Sequence, residues 1–117
     1  MNVKRIVFLV LLISLVTAGT VFAQVGREIP VYRVDNDTRI RIIRAVETQY
    51  GIDIVYEATE WNIGYVDFYV TAHYQEGRPL YYNDFESVMT TRRQAVGMVT
   101  WRSSRIASLE VRVRVRN

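Results

Sequence analysis

Apolar positions along this chain recur with two spacings, and each predicts a different element. In "SLEVRVRVRN", Ser108 to Asn117, the residues Leu109, Val111, Val113 and Val115 alternate with Glu110, Arg112, Arg114 and Arg116. A period of two is the mark of a strand with one buried face, so a strand is expected from Ile106 to Arg116. "YVDFYVTAHY", Tyr65 to Tyr74, alternates as clearly: Val66, Phe68, Val70, Ala72 and Tyr74 face one way, and Tyr65, Asp67, Tyr69, Thr71 and His73 the other. "IDIVYEAT", Ile52 to Thr59, sets Ile52, Ile54, Tyr56 and Ala58 on one side, and "IPVYRV", Ile29 to Val34, is a shorter strand that tolerates Pro30 near its start. "EWNIG" between Thr59 and Tyr65 is too short for a crossover and predicts an antiparallel hairpin.

The second spacing predicts helices. From Thr38 to Tyr50, the residues Ile40, Ile43, Val46 and Tyr50 recur every three or four positions, with Asp35 or Asp37 as N-cap and Gly51 at the exit. After a loop, "QEGRPLYY", Asn83 and Glu86 form a capping box for a second helix carrying Phe85, Val88, Met89, Val96 and Val99 on one face. Its end falls between Gly97 and Arg102, and the rival reading makes "AVGMVTW" a strand. Strand, helix, strand, strand, helix, strand is the βαββαβ order of the ferredoxin-like, split βαβ arrangement. An α+β two-layer sandwich is therefore expected, with both helices on one face of a four-stranded antiparallel sheet. The first and third strands would be central, the second and last at the edges. Such a topology implies no particular function.

The start of the chain changes the picture of where the domain works. Lys4 and Arg5 precede an uncharged run from Ile6 to Val25, with Val21 and Ala23 just before Gln24. This is the pattern of a secretory signal peptide over residues 1–23, leaving one small domain over 24–117, in the periplasm or outside the cell. A retained membrane anchor is the rival, since spanning helices begin at roughly 17 residues, but Thr17, Ala18, Gly19 and Thr20 dilute the apolar segment. With no cysteine, neither a lipid-modified cysteine nor a disulfide is available, so stability has to come from apolar packing, helped by self-association.

Charge adds less than it first promises. Removing the signal takes two of the 15 basic residues and leaves 13 arginines against 12 acidic residues, so the whole-chain pI of 9.4 overstates the pull on a polyanion. Arginine does suit planar contacts with carboxylates, phosphates and aromatic rings.

Candidate chemistry is sparse. Cysteine nucleophiles, thiolate metal sites and multi-histidine zinc sites are ruled out within one chain, because there is no cysteine and His73 is the single histidine. Asp67 shares its strand face, but six residues at about 3.4 Å each separate the two by roughly 20 Å, too far for an orienting hydrogen bond. Ser103 and Ser104 have no predictable base, Asp53, Glu57, Glu60 and Asp67 predict no cleft, and "DNDT" lacks the loop of a calcium site. No enzyme, metal or cofactor is expected. Nucleic acid is not expected either: Asp67 interrupts Tyr65 and Tyr69, export removes cytoplasmic RNA, and the net charge is small.

Two surfaces remain as candidates. Arg33, Arg39, Arg41 and Arg44 gather near the start of the first expected helix, where basic residues oppose the helix dipole and an anion would relieve them, as would Asp35 and Asp37. Tyr65, Asp67, Tyr69, His73, Arg112, Arg114 and Arg116 would share the open sheet face, and Tyr and Arg are favoured at protein interfaces. The expected function is a non-catalytic protein-interaction or assembly module of the cell envelope, whose partner is a second copy or an envelope protein. Binding of acidic polymers or small anions through the arginines is the alternative, and a small hydrolase is the remote one.

Overall fold

The computed structural model describes residues 26–101 and 104–116. The expected signal peptide, Arg102 and Ser103 lie outside the described residues. Eight strands and no helix form them: β1 (Arg27–Ile29), β2 (Val31–Arg33), β3 (Ile40–Glu47), β4 (Gly51–Ala58), β5 (Gly64–Tyr74), β6 (Leu80–Val88), β7 (Gln94–Val99) and β8 (Ile106–Arg116). The fold is therefore all-β, and the expected α+β ferredoxin-like arrangement is wrong. Two four-stranded sheets pack face to face, sheet A in the order β1-β3-β4-β7 and sheet B in the order β2-β8-β5-β6.

Each expected helix fails for an identifiable reason. Over Ile40–Glu47 the pairing with β4 slips between Ile42 and Arg44, so one extra residue is accommodated in a β-bulge. Ile40 and Ile42 point inward before the slip and Ala45 after it, and this change of phase imitates a spacing of three. Strong β formers, Ile40, Ile42, Ile43 and Val46, occupy the segment and agree with the strand. In β6 the inward positions are Leu80, Tyr82, Asp84, Glu86 and Val88, so two acids interrupt the apolar alternation. Asn83 and Glu86 consequently sit within a strand and cap nothing, while Val96 and Met98 are the buried alternate positions of β7, so "AVGMVTW" supplies a strand.

The expected hairpin between the second and third strands is also absent. β4 lies in sheet A and β5 in sheet B, and the chain crosses between sheets through Thr59 to Ile63. Asn62 and Gly64 take positive φ of 56° and 101°, and a side chain on Gly64 would come within 2.9 Å of the Arg116 carbonyl. Pro30 divides the single strand expected at Ile29 to Val34: Ile29 ends β1 in sheet A, and β2 runs parallel to β8 in sheet B. Lacking an N–H, Pro30 contributes only its carbonyl, which accepts from Leu109 N–H at 2.9 Å. β8 is thus flanked by both β2 and β5 and is not the edge strand the sequence predicted.

The core is the layer between the sheets. Ile54, Tyr56 and Val96 from sheet A meet Val66, Phe68 and Val111 from sheet B, all fully buried. The Tyr56 and Phe68 rings lie 4.8 Å apart at 51°. At one end the Arg27 guanidinium pairs with Glu47 and donates to the Ile106 carbonyl at 2.6 Å, which ties β1 and β3 to the start of β8. No helix among the described residues is long and apolar enough to cross a membrane.

Candidate functional site

Alternation in β5 and β8, with their antiparallel register, builds the outward face of sheet B. Tyr65 lies opposite Arg116, Asp67 opposite Arg114, Tyr69 opposite Arg112 and Thr71 opposite Glu110, with His73 opposite Ser108. All seven residues of the expected interaction surface are therefore brought onto one face. β6 adds Tyr81 beside Thr71, Asn83 beside Tyr69 and Phe85 beside Asp67, and β2 adds Tyr32 beside Glu110. The sequence reading missed the three on β6, because 80–88 was divided between a loop and a helix, and it missed Tyr32 because the pairing of β2 with β8 was not foreseen. The period of two in Tyr81, Asn83, Phe85 and Ser87 was the available signal.

The face has two ends. At one, the Arg116 guanidinium lies 5.4 Å from the Tyr65 ring and 5.4 Å from the Phe85 ring, and its Nε is 2.9 Å from Asp67 Oδ2. Tyr65 and Phe85 meet edge to face at 6.2 Å. Asp67 is only 8% exposed beneath this cluster, whereas Tyr65 and Phe85 remain half exposed. Arg114 is exposed next to them and has no ion-pair partner among the described residues. Aromatic residues and arginine are enriched at protein interfaces relative to the rest of a protein surface.

At the other end the face is concave. A groove of about 380 Å³ runs over Thr71, with Tyr69, Tyr81, Asn83, Glu110 and Arg112 around it and Val34 at its rim. Arg112 stacks 4.7 Å over the Tyr69 ring. Asn83 Nδ2 donates to the Phe68 carbonyl at 3.1 Å, which fixes its orientation. His73 Nε2 is 3.6 Å from Glu110 Oε2, beyond hydrogen-bond reach.

Of the expected anion contact, Arg33 and Arg39 both bond to Asp37, while Arg41 and Arg44 lie further along β3. No helix start exists to gather it: Arg33 lies in sheet B, while Arg41 and Arg44 lie in sheet A. Arg33 forks onto Asp35 at 2.8 and 2.7 Å, Arg39 binds Asp37 at 3.0 and 2.7 Å, and Arg41 pairs with Glu57. Burial alone would raise the Asp35 carboxyl, but hydrogen bonds from Arg33, Asp37 N–H and Val113 N–H, with the Arg33 charge, outweigh it and hold the pKa below the ordinary range. The hydrogen bond from Arg39 likewise lowers Asp37 against its burial. Arg44 alone of the four is exposed without an ion-pair partner among the described residues.

The carboxylates converge no better. Asp53 and Glu57 belong to β4 in sheet A, and Asp67 belongs to sheet B, so these carboxylates lie on different sheets. Glu57 is occupied by Arg41 and, at 3.6 Å, Arg93. Among the described residues no group of three His, Asp or Glu side chains is placed to hold a metal ion.

Between the sheets, Tyr56 pairs with Gln94 across β4 and β7, and the Tyr56 hydroxyl and Gln94 Oε1 are buried with no hydrogen-bond partner among the described residues. Burial, and then the charge of Glu86, push the Tyr56 phenol up to about 12. Burial, and then the Asp84 carboxylate, raise Glu86. No family model, curated protein or solved structure matches this chain.

Proposed function

We propose that this chain is a non-catalytic interaction module of the cell envelope, exported to the periplasm or beyond, which holds a protein partner through the outer face of sheet B. One observation carries the reading: Tyr65 and Phe85 stay half exposed around a guanidinium that Asp67 already neutralises. Exposed aromatic surface of this kind is costly to leave in water, and contiguous patches of it mark contact sites. Because Asp67 holds Arg116 in place, the rings and guanidinium are ordered before a partner arrives, which lowers the entropy lost on binding.

Pairing within the chain also weighs against a general polyanion binder. Arg33, Arg39, Arg41 and Arg116 each face a carboxylate of the same molecule, which removes them from the cations that counterion release could draw on.

Gel filtration of the protein released under native conditions from cells that express it tests this reading. The expected result is elution above the monomer size, reduced to monomer by Tyr65→Ser with Phe85→Ser and unchanged by Arg44→Ser on sheet A. Monomer elution of the unaltered protein, or equal loss with Arg44→Ser, overturns it.

A further inference from the structure

We propose that the groove at the other end of this face binds a neutral saccharide, stacked against the exposed Tyr81 and hydrogen-bonded by Arg112, Glu110 and Asn83. This goes beyond the protein-contact reading and does not rest on it, because Tyr65 and Phe85 lie outside the groove.

The first argument is what the groove does not offer. Its floor is β5, whose backbone is paired with β6 on one side and β8 on the other. An extended peptide adds to a sheet through free main-chain groups, and the floor of the groove presents none. Recognition has to come from side chains. Thr71 is short between Tyr69, Tyr81 and Glu110, and this difference in length makes the hollow. A volume of about 380 Å³ suits a small ligand or one or two units of a longer chain.

The second argument is the pattern of polar groups. Arg112 and Glu110 are two residues apart on the same side of β8, which sets a donor and an acceptor about 7 Å apart along one wall. The Arg112 guanidinium is stacked on Tyr69 without an ion-pair partner among the described residues, so its hydrogen-bond donors are available. Asn83 gives one amide N–H to the Phe68 carbonyl, which leaves its carbonyl oxygen as an acceptor. Sugar hydroxyls both give and take hydrogen bonds, as this alternation of donor and acceptor requires.

The third argument is charge and shape together. Arg112 and Glu110 are the charged side chains of the lining and are of opposite sign, so the lining carries no net formal charge to favour phosphate or an acidic polymer. The exposed Tyr81 ring supplies flat apolar surface with a hydroxyl at its rim. A pyranose ring matches this combination, with C–H groups on its face and hydroxyls around its edge. Stacking of Arg112 on Tyr69 holds the guanidinium in place before binding.

Calorimetric titration of the protein with maltotetraose, cellotetraose and chitotetraose, and separately with polygalacturonate, tests the inference. The expected result is saturable binding of at least one neutral tetrasaccharide, with affinity unchanged between about 50 and 200 mM salt. Tyr81→Ala, at a side chain 78% exposed and so without consequence for the core, should weaken it by about tenfold or more, as should Asn83→Ala. Tyr65→Ser should leave it intact. No binding of the three neutral sugars, binding confined to polygalacturonate, or affinity that survives Tyr81→Ala overturns the inference. Any of these leaves the gel-filtration result standing, so the two readings fail separately.

Discussion

Arg112 and Tyr69 are direct cross-strand partners, and the guanidinium lies 4.7 Å over the phenol ring. The arginine comb of β8 is therefore laid down on the aromatic row of β5 instead of standing free in solvent. A double-mutant cycle with Arg112→Gln and Tyr69→Leu should give a coupling of about 0.5–1 kcal/mol in unfolding free energy. A coupling near zero would mean that the two side chains do not rest on one another in solution.

Asp35 closes a different gap. β2 covers β8 only from Leu109 to Val111, and beyond it the Asp35 carboxylate accepts from Val113 N–H at 3.3 Å while holding Arg33 and Asp37 N–H. Asp35→Ala should cost about 2 kcal/mol at neutral pH, since hydrogen bonds to a charged group are lost together. The folded carboxyl titrates below its ordinary 3.8, so its contribution is present above that value and is lost as pH falls through the lowered one. Urea unfolding of both proteins across acid pH checks this: the two stabilities should converge below the ordinary value.

Gly51 tests the register of sheet A. It pairs with Val99, and a Cβ placed on it would run into the Met98 backbone carbonyl. Gly51→Ala should therefore destabilise by more than about 2 kcal/mol, because a backbone atom cannot rotate aside as a flexible side chain does. Thermal unfolding within about 0.5 kcal/mol of the unaltered protein would contradict the pairing of β4 with β7.

Tyr56 and Glu86 predict opposite ends of the pH profile. The Tyr56 phenol is raised to about 12 from an ordinary 10.0, so its neutral form supports the fold below pH 10 and that support is lost as pH rises towards 12. Tyr56→Phe should be neutral or stabilising near pH 7, where it removes a buried hydroxyl without a partner, and should flatten the alkaline decline. Glu86 is raised above its ordinary 4.5, so ionising it costs the fold stability once pH climbs through the raised value. Glu86→Gln should stabilise at neutral pH, with the gain vanishing at low pH in the same unfolding series.

Strands whose alternation is uninterrupted were legible from the amino acids: β8 spans the expected Ile106 to Arg116, β5 begins one residue early, and β4 runs Gly51–Ala58 where 52–59 was expected. β3 was not legible, because a bulge at Ile42 to Arg44 shifts the phase and leaves Ile40, Ile43 and Val46 at helical spacing. β6 was hidden by Asp84 and Glu86 at inward positions near the sandwich margin, where half-burial tolerates them. Sheet membership was less legible still. Nothing local in "EWNIG" distinguishes a hairpin from a crossing between sheets, and that decision rests on how distant apolar faces close over one another. The face of Tyr65, Tyr69 and Arg112 was readable because it depends only on alternation within two strands. Tyr81 and Phe85 depended on β6 and were lost with it.

Site-specific photo-crosslinking in cells tests the central claim most directly. A benzoylphenylalanine placed at Phe85, half exposed at the aromatic end of sheet B, should give a discrete protein adduct, and the same group at Arg44 on sheet A should give none. An absence of adduct from Phe85, or the same adducts from Arg44, would contradict an interaction module that works through this face.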